Sequence, residues 1–137
     1  MSNATRISVS TPNVPAFKRL TIAPLSRPPQ SPLHKQRYVV GWPELDVIKI
    51  GSTLRGRARW GTFLNRGGVM IDLACFDDSI SAEIYLENIV SMFYKRAFDI
   101  KHEAKDILGN NGAGYLECFN VPLNDWNFIQ QLAQEEV

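Results

Sequence analysis

The run Arg37-Tyr38-Val39-Val40-Gly41-Trp42, followed after Pro43-Glu44-Leu45-Asp46 by Val47-Ile48-Lys49-Ile50-Gly51, decides how this chain folds. Both flanking runs are rich in β-branched and aromatic residues, and the second alternates apolar with polar, so each reads as a strand. A connection this short holds two strands antiparallel, because a parallel pair needs a long crossover. The hairpin is therefore the seed of a sheet, and order is expected from residue 37 onward.

Downstream, Ser52 or Thr53 can cap a short helix running to about Leu64, with Leu54, Ala58 and Gly61 on its inner face. Gly67-Gly68 ends it, and Val69 to Phe76 is apolar enough to be a central strand. Asp78 or Ser79 can cap the longest helix, Ile80 to about Phe98. There Ala82, Leu86, Ile89 and Phe93 form a buried stripe widened by Tyr85 and Met92. The polar stretch from Lys101 to Gly114 reads as a loop, Tyr115 to Val121 as a short strand. Asn124 can cap a last amphipathic helix carrying Trp126, Ile129 and Leu132 or Ala133. The expected fold is α+β: a small, mainly antiparallel sheet of three or four strands flanked by helices, over residues 37–137.

Residues 1–36 differ in kind. Six of the eight prolines lie there, which forbids regular helix and favours extended or disordered chain. Up to Arg37 the chain holds six basic residues and no acid, whereas all 14 acids lie beyond, against nine of the 15 Lys and Arg. Such a basic, Pro-rich leader suits a solvated tail, a segment touching nucleic-acid phosphates, or an organelle-targeting sequence. No apolar run is long enough to span a membrane, so no membrane role is expected. Cys75 and Cys118 sit in apolar runs without nearby His or Cys and read as small buried thiols. An intracellular setting follows, cytoplasmic or beside nucleic acid in a nucleoid or nucleus.

Two groups of polar residues stand out as candidates for chemistry. Arg55, Arg57 and Arg59 follow the hairpin, with Arg55 and Arg59 at the spacing that shares a helical face; Arg66 adds a fourth cation. They serve either as a solvated basic face or as guanidinium donors to phosphate. Glu83 and Glu87 lie one step off the apolar stripe of the long helix, where like charges disfavour the helix slightly. They make either a wet flank or an open carboxylate site for a hard divalent cation.

The order of Tyr38-Val39-Val40, Lys49-Ile50-Gly51-Ser52-Thr53 and Arg59-Trp60 resembles the core of the GIY-YIG nuclease superfamily. Eleven residues take Tyr38 to Lys49 and ten take Lys49 to Arg59, which fits that layout without insertions. Ala82-Glu83 is placed like the family's metal-binding glutamate. Leu116-Glu117-Cys118-Phe119 is similar to the E-x-F ending of a phage and microbial branch that carries KIG in place of YIG. The resemblance implies phosphodiester hydrolysis. Tyr38 would activate the attacking water, Arg59 would clamp the phosphate, and Glu83 would hold Mg²⁺ or Mn²⁺, with Glu87 as its substitute one turn on. Lys49 would supply a cation beside the Tyr38 phenol or contact phosphate, while Glu117 would close the rim. Lys49 stands where the founding motif has its second tyrosine, and the leading glycine and isoleucine of the first motif are missing.

Three functions remain in view. The first is a metal-dependent endonuclease acting on DNA rather than RNA. The second is a binding module of the same fold that has lost cleavage and uses Arg55, Arg57, Arg59 and Arg66. The third is a protein-interaction domain with a structural arginine face. A lone domain of this size gains sequence specificity from a partner module or by forming a homodimer, since phosphate contacts position a protein without reading bases.

Overall fold

The computed structural model describes Thr5–Arg6 and residues 35–134. Strand β1 is Thr5–Arg6, β2 is Gln36–Trp42 and β3 is Val47–Thr53. Helix α1 (Arg57–Leu64), strand β4 (Val69–Cys75) and helix α2 (Ser79–Ser91) follow. The chain then forms α3 (Lys105–Leu108), β5 (Cys118–Asn120) and α4 (Trp126–Ala133). The sheet runs β1-β4-β2-β3-β5 with every pair antiparallel. The fold is thus α+β, four strands of the expected domain extended at one edge by the two-residue β1. That pairing, and the start of β2 at Gln36, place a few residues of the leader in the sheet. The expectation of disorder for the rest of residues 1–34 lies outside the described residues.

Alternation along the strands sends successive side chains to opposite faces, and both faces are covered. Val39, Ile48, Ile50 and Ile71 pack on one side beneath Leu86 and Val90 of α2 and Trp126, Ile129 and Ala133 of α4. Tyr38, Val40 and Trp42 pack on the other against Trp60 and Phe63 of α1 and Ile107 and Leu108 of α3. Burial on both faces explains why β4 reads as a nearly continuous apolar run. The full-length strand at the centre is β2, with β4 at its flank next to the short β1.

Several boundaries differ from the sequence expectation. Ser52 and Thr53 finish β3 instead of capping α1. The Thr53 hydroxyl accepts from the Arg55 amide at 2.8 Å and makes a turn, after which Gly56, at φ +58°, opens the helix. The inner face of α1 is Trp60 and Phe63, while Leu54 and Ala58 are exposed. The two aromatics carry more apolar area than leucine and alanine, and their burial sets the helix phase.

Helix α2 begins at the Asp78 cap, whose carboxylate accepts from the Ser81 amide at 3.0 Å, but stops at Ser91. Its buried residues are Ser79, Ala82, Glu83, Leu86 and Val90, so the helix is turned relative to the expected stripe. Tyr85, Met92 and Phe93 face outward. The Lys101–Gly114 stretch is structured, because Ala104, Ile107 and Leu108 supply a small apolar face that packs beneath α1. Residues 115–117 form a 3₁₀ turn ahead of β5, which puts Glu117 on a turn and not in a strand. Cys75 and Cys118 are free thiols, the latter buried. No helix among the described residues is long and apolar enough to cross a membrane.

Candidate active site

Register fixes the hairpin's contribution. Tyr38 pairs with Gly51 and Val40 with Lys49, so Tyr38 and Lys49 lie diagonally on one face of the sheet. The Tyr38 ring lies across Gly51: a Cβ at residue 51 would stand 2.3 Å from the ring's Cζ and hydroxyl oxygen. Only glycine admits the ring there. Tyr38 is 1% exposed and tilts against Phe63, ring centroids 6.0 Å apart, so it has no room to yield. Gly51→Ala is accordingly expected to destabilise the fold by about 1–3 kcal/mol through overpacking. Much of that loss should be relieved in a Tyr38→Leu background, as chemical denaturation of the two single variants and the double variant would reveal. Strictly additive effects would refute the contact.

Lys49 is completely buried. Its Nζ donates to Glu117 Oε1 at 2.6 Å and to the Ile50 carbonyl at 3.3 Å. The ammonium also lies 5.6 Å from the Tyr38 ring centroid and 5.5 Å from that of Phe63. Burial by itself would lower the lysine pKa, but Tyr38 and Glu117 beside it outweigh that and leave it above the ordinary value. Lys49 is therefore a fixed positive charge, unsuited to act as a base at neutral pH.

On the opposite side of the hairpin, Ser52 donates from its hydroxyl to Glu83 Oε1 at 2.7 Å, tying α2 to the end of β3. Glu83, Glu87 and Glu117 each bring one carboxylate oxygen into a cluster in which all three lie within 4.8 Å of one another. Desolvation raises the Glu83 pKa, against the hydrogen bonds from Ser52 and Glu87. Desolvation, with the hydrogen bond to Glu83 and the charges of Glu83 and Glu117, pushes Glu87 up to about 8. Two desolvated acids one turn apart do not both ionise readily, so Glu83 and Glu87 share a proton across their hydrogen bond. One oxygen of the cluster, Glu87 Oε2, is buried without a hydrogen-bond partner. All-oxygen donors with an unsatisfied member fit a hard divalent cation such as Mg²⁺ or Mn²⁺.

The arginines divide. Arg59 is half-buried with its guanidinium 5.3 Å from the Phe63 ring centroid, so Arg59 and Lys49 flank the same ring. Arg57 is exposed and stacks on Trp60 at 4.8 Å, and Trp60 Nε1 donates to Gln36 Oε1 at 3.0 Å. Arg55 precedes the helix, so it does not share a helical face with Arg59 as its spacing suggested. Arg66, at the far end of α1, donates to the Asp106 carbonyl at 3.4 Å and is drawn toward α3. The structure thus brings together Tyr38, Lys49, Glu83, Glu87 and Glu117, with Arg59 joined through Phe63. Glu83 and Glu87 enter together and not as alternatives.

Sequence reasoning missed Ser52, Phe63 and the need for glycine at position 51. The signal for Ser52 was its place on β3, one residue past Gly51 and so on the face toward α2. What fold and site define is an α+β domain with a carboxylate cluster beside a buried lysine and an aromatic-backed arginine. No family model matches the chain, and neither a curated protein nor a solved structure is significantly similar to it.

Proposed function

We propose that this chain is a divalent-metal-dependent endonuclease that hydrolyses phosphodiester bonds in DNA, a diverged member of the GIY-YIG group. The observation that carries the reading is the convergence of Glu83, Glu87 and Glu117 on one point next to Lys49 and Tyr38. Phosphodiester cleavage needs those elements: carboxylates to hold a cation, and fixed cations to meet the charge that grows on phosphate. A bound Mg²⁺ or Mn²⁺ would supply charge neutralisation on the leaving side. Glu83, oriented by Ser52, and the unpartnered Glu87 Oε2 would hold it, with Glu117 at the rim. Arg59 is the phosphate clamp, its guanidinium backed by Phe63, and Arg55 and Arg57 extend the basic surface along the DNA backbone. On this reading the protein acts inside the cell, where DNA is present.

One observation favours a second reading, a binding module of the same ancestry that no longer cleaves. Tyr38 is 1% exposed and its hydroxyl is packed over Gly51, a poor position for a phenol that must reach water. The experiment is incubation of the purified chain with supercoiled DNA, linear DNA and RNA, in Mg²⁺, Mn²⁺ or EDTA, with Arg59→Ala alongside. Nicking that EDTA stops, and that Arg59→Ala slows by about 10²–10³-fold, is expected. No cleavage but salt-sensitive binding moves the assignment to the binding module, because phosphate contacts release counterions. Neither cleavage nor binding refutes both.

A further inference from the structure

The outward arc of α2 has a composition that neither the core nor the carboxylate site accounts for. Its sequence, Ser79 to Ser91, holds only two charges, Glu83 and Glu87, and both turn toward the site. The exposed side carries Ile80, Ile84, Tyr85 and Met92 among the uncharged Ser81, Asn88 and Ser91, and is continued by Phe93 and by Phe128 of α4. Ile80 and Met92, near its two ends, are 64% and 73% exposed. The patch is also rigid. Phe93 and Phe128 meet edge to face at 5.5 Å, and the Tyr85 hydroxyl donates to the Ala133 carbonyl at 2.8 Å. Aromatic and methionine side chains without charge are what the centre of a protein–protein interface contains.

We infer that this face is the interface of a two-fold symmetric homodimer, in which α2 packs antiparallel against α2 of a second copy. The ends of the helix identify the occupant. Asp77 and Asp78 are exposed just before α2, and Lys95 and Arg96 are exposed four and five residues past its end at Ser91, after the turn that leaves it. A two-fold axis across the helix sets the acidic end of one copy against the basic end of the other, at both ends of the contact. The uncharged middle meets itself without repulsion, and antiparallel helices align their dipoles favourably. The exposed arc carries no lysine or arginine of its own to draw it to nucleic acid or to an anionic lipid surface. Glu83 and Glu87 stay out of the contact, so each copy keeps its carboxylate cluster.

The test is sedimentation equilibrium on the full chain over a wide concentration range. A dimer that dissociates on dilution is expected. Met92→Glu should raise its dissociation constant by about tenfold or more, while circular dichroism, and the melting temperature at dilutions where the wild type is also monomeric, stay unchanged because the side chain is exposed. Asp77→Lys and Lys95→Glu, each weaker alone, should associate with one another when mixed, since the swapped charges then face opposite signs at both ends. A wild-type monomer at every concentration overturns the inference, including one that binds a different protein or a lipid vesicle through this face. A dimer indifferent to Met92→Glu, or charge variants that do not recover on mixing, also overturns it.

Discussion

Glu83→Ala is expected to abolish metal-dependent cleavage, by about 100-fold or more, while leaving the protein folded and able to bind DNA. Glu83 is the carboxylate whose geometry is fixed: it is nearly buried on α2 and held by the Ser52 hydroxyl at 2.7 Å. Glu87→Ala should weaken the site differently. Its Oε2 has no partner to lose, so its removal should raise the Mg²⁺ concentration needed for half-maximal nicking and leave the rate at saturating metal closer to wild type. Ser52→Ala, which frees the Glu83 carboxylate to turn, should fall between the two. Titrating Mg²⁺ against nicking of supercoiled DNA separates these outcomes. Should Glu87→Ala stop cleavage while Glu83→Ala does not, the roles are exchanged within the same cluster. If neither alters it, the carboxylates are not the metal site.

The sheet was legible because hydrophobic alternation and short connections leave few alternatives. Tyr38–Trp42 and Val47–Ile50 could only be a hairpin, and that alone set Tyr38 and Lys49 on a common face. Helix phase was less legible. The stripe through Ala82, Leu86, Ile89 and Phe93 is a sound reading of an isolated helix, yet α2 stops at Ser91 and rotates until Glu83 is buried. A polar residue on the inner face defeats a pattern that assumes acids point to water, and what compensates it, Ser52, lies on β3. The cluster's third member was visible as a residue but not as part of the cluster. Glu117 reaches it because the 115–117 segment is a turn, and nothing in Tyr115–Val121 distinguishes that turn from the start of a strand. Arg55 shows the converse failure. Its spacing from Arg59 meant nothing, because Gly56 starts the helix after it.

Glu117→Ala is expected to destabilise the fold by roughly 2–4 kcal/mol, because it strands a buried charge. The figure sits below that for a fully enclosed pair, since Glu117 is 38% exposed and its space can admit water. Lys49 has no such outlet: it is 0% exposed, boxed by the Tyr38 and Phe63 rings, and left with the Ile50 carbonyl as its hydrogen-bond acceptor. The pair is therefore asymmetric. Lys49→Met should cost less than Glu117→Ala, because a lone Glu117 can turn to solvent, and Lys49→Met with Glu117→Gln should recover most of the lost stability. The pH response has a definite sign. In the wild type the lysine pKa is raised, so its contribution is complete below the ordinary lysine value and is lost as pH rises through the folded one. Without the charge and hydrogen bond of Glu117 the folded pKa comes down, so less stability should be lost at alkaline pH than in the wild type. Urea unfolding of the four proteins at neutral and alkaline pH measures all of this. A Glu117→Ala protein as stable as wild type, or a Lys49→Met protein less stable than Glu117→Ala, would show that the lysine is not held by this carboxylate. The charge flanking Tyr38 and Phe63 would then need another source of support.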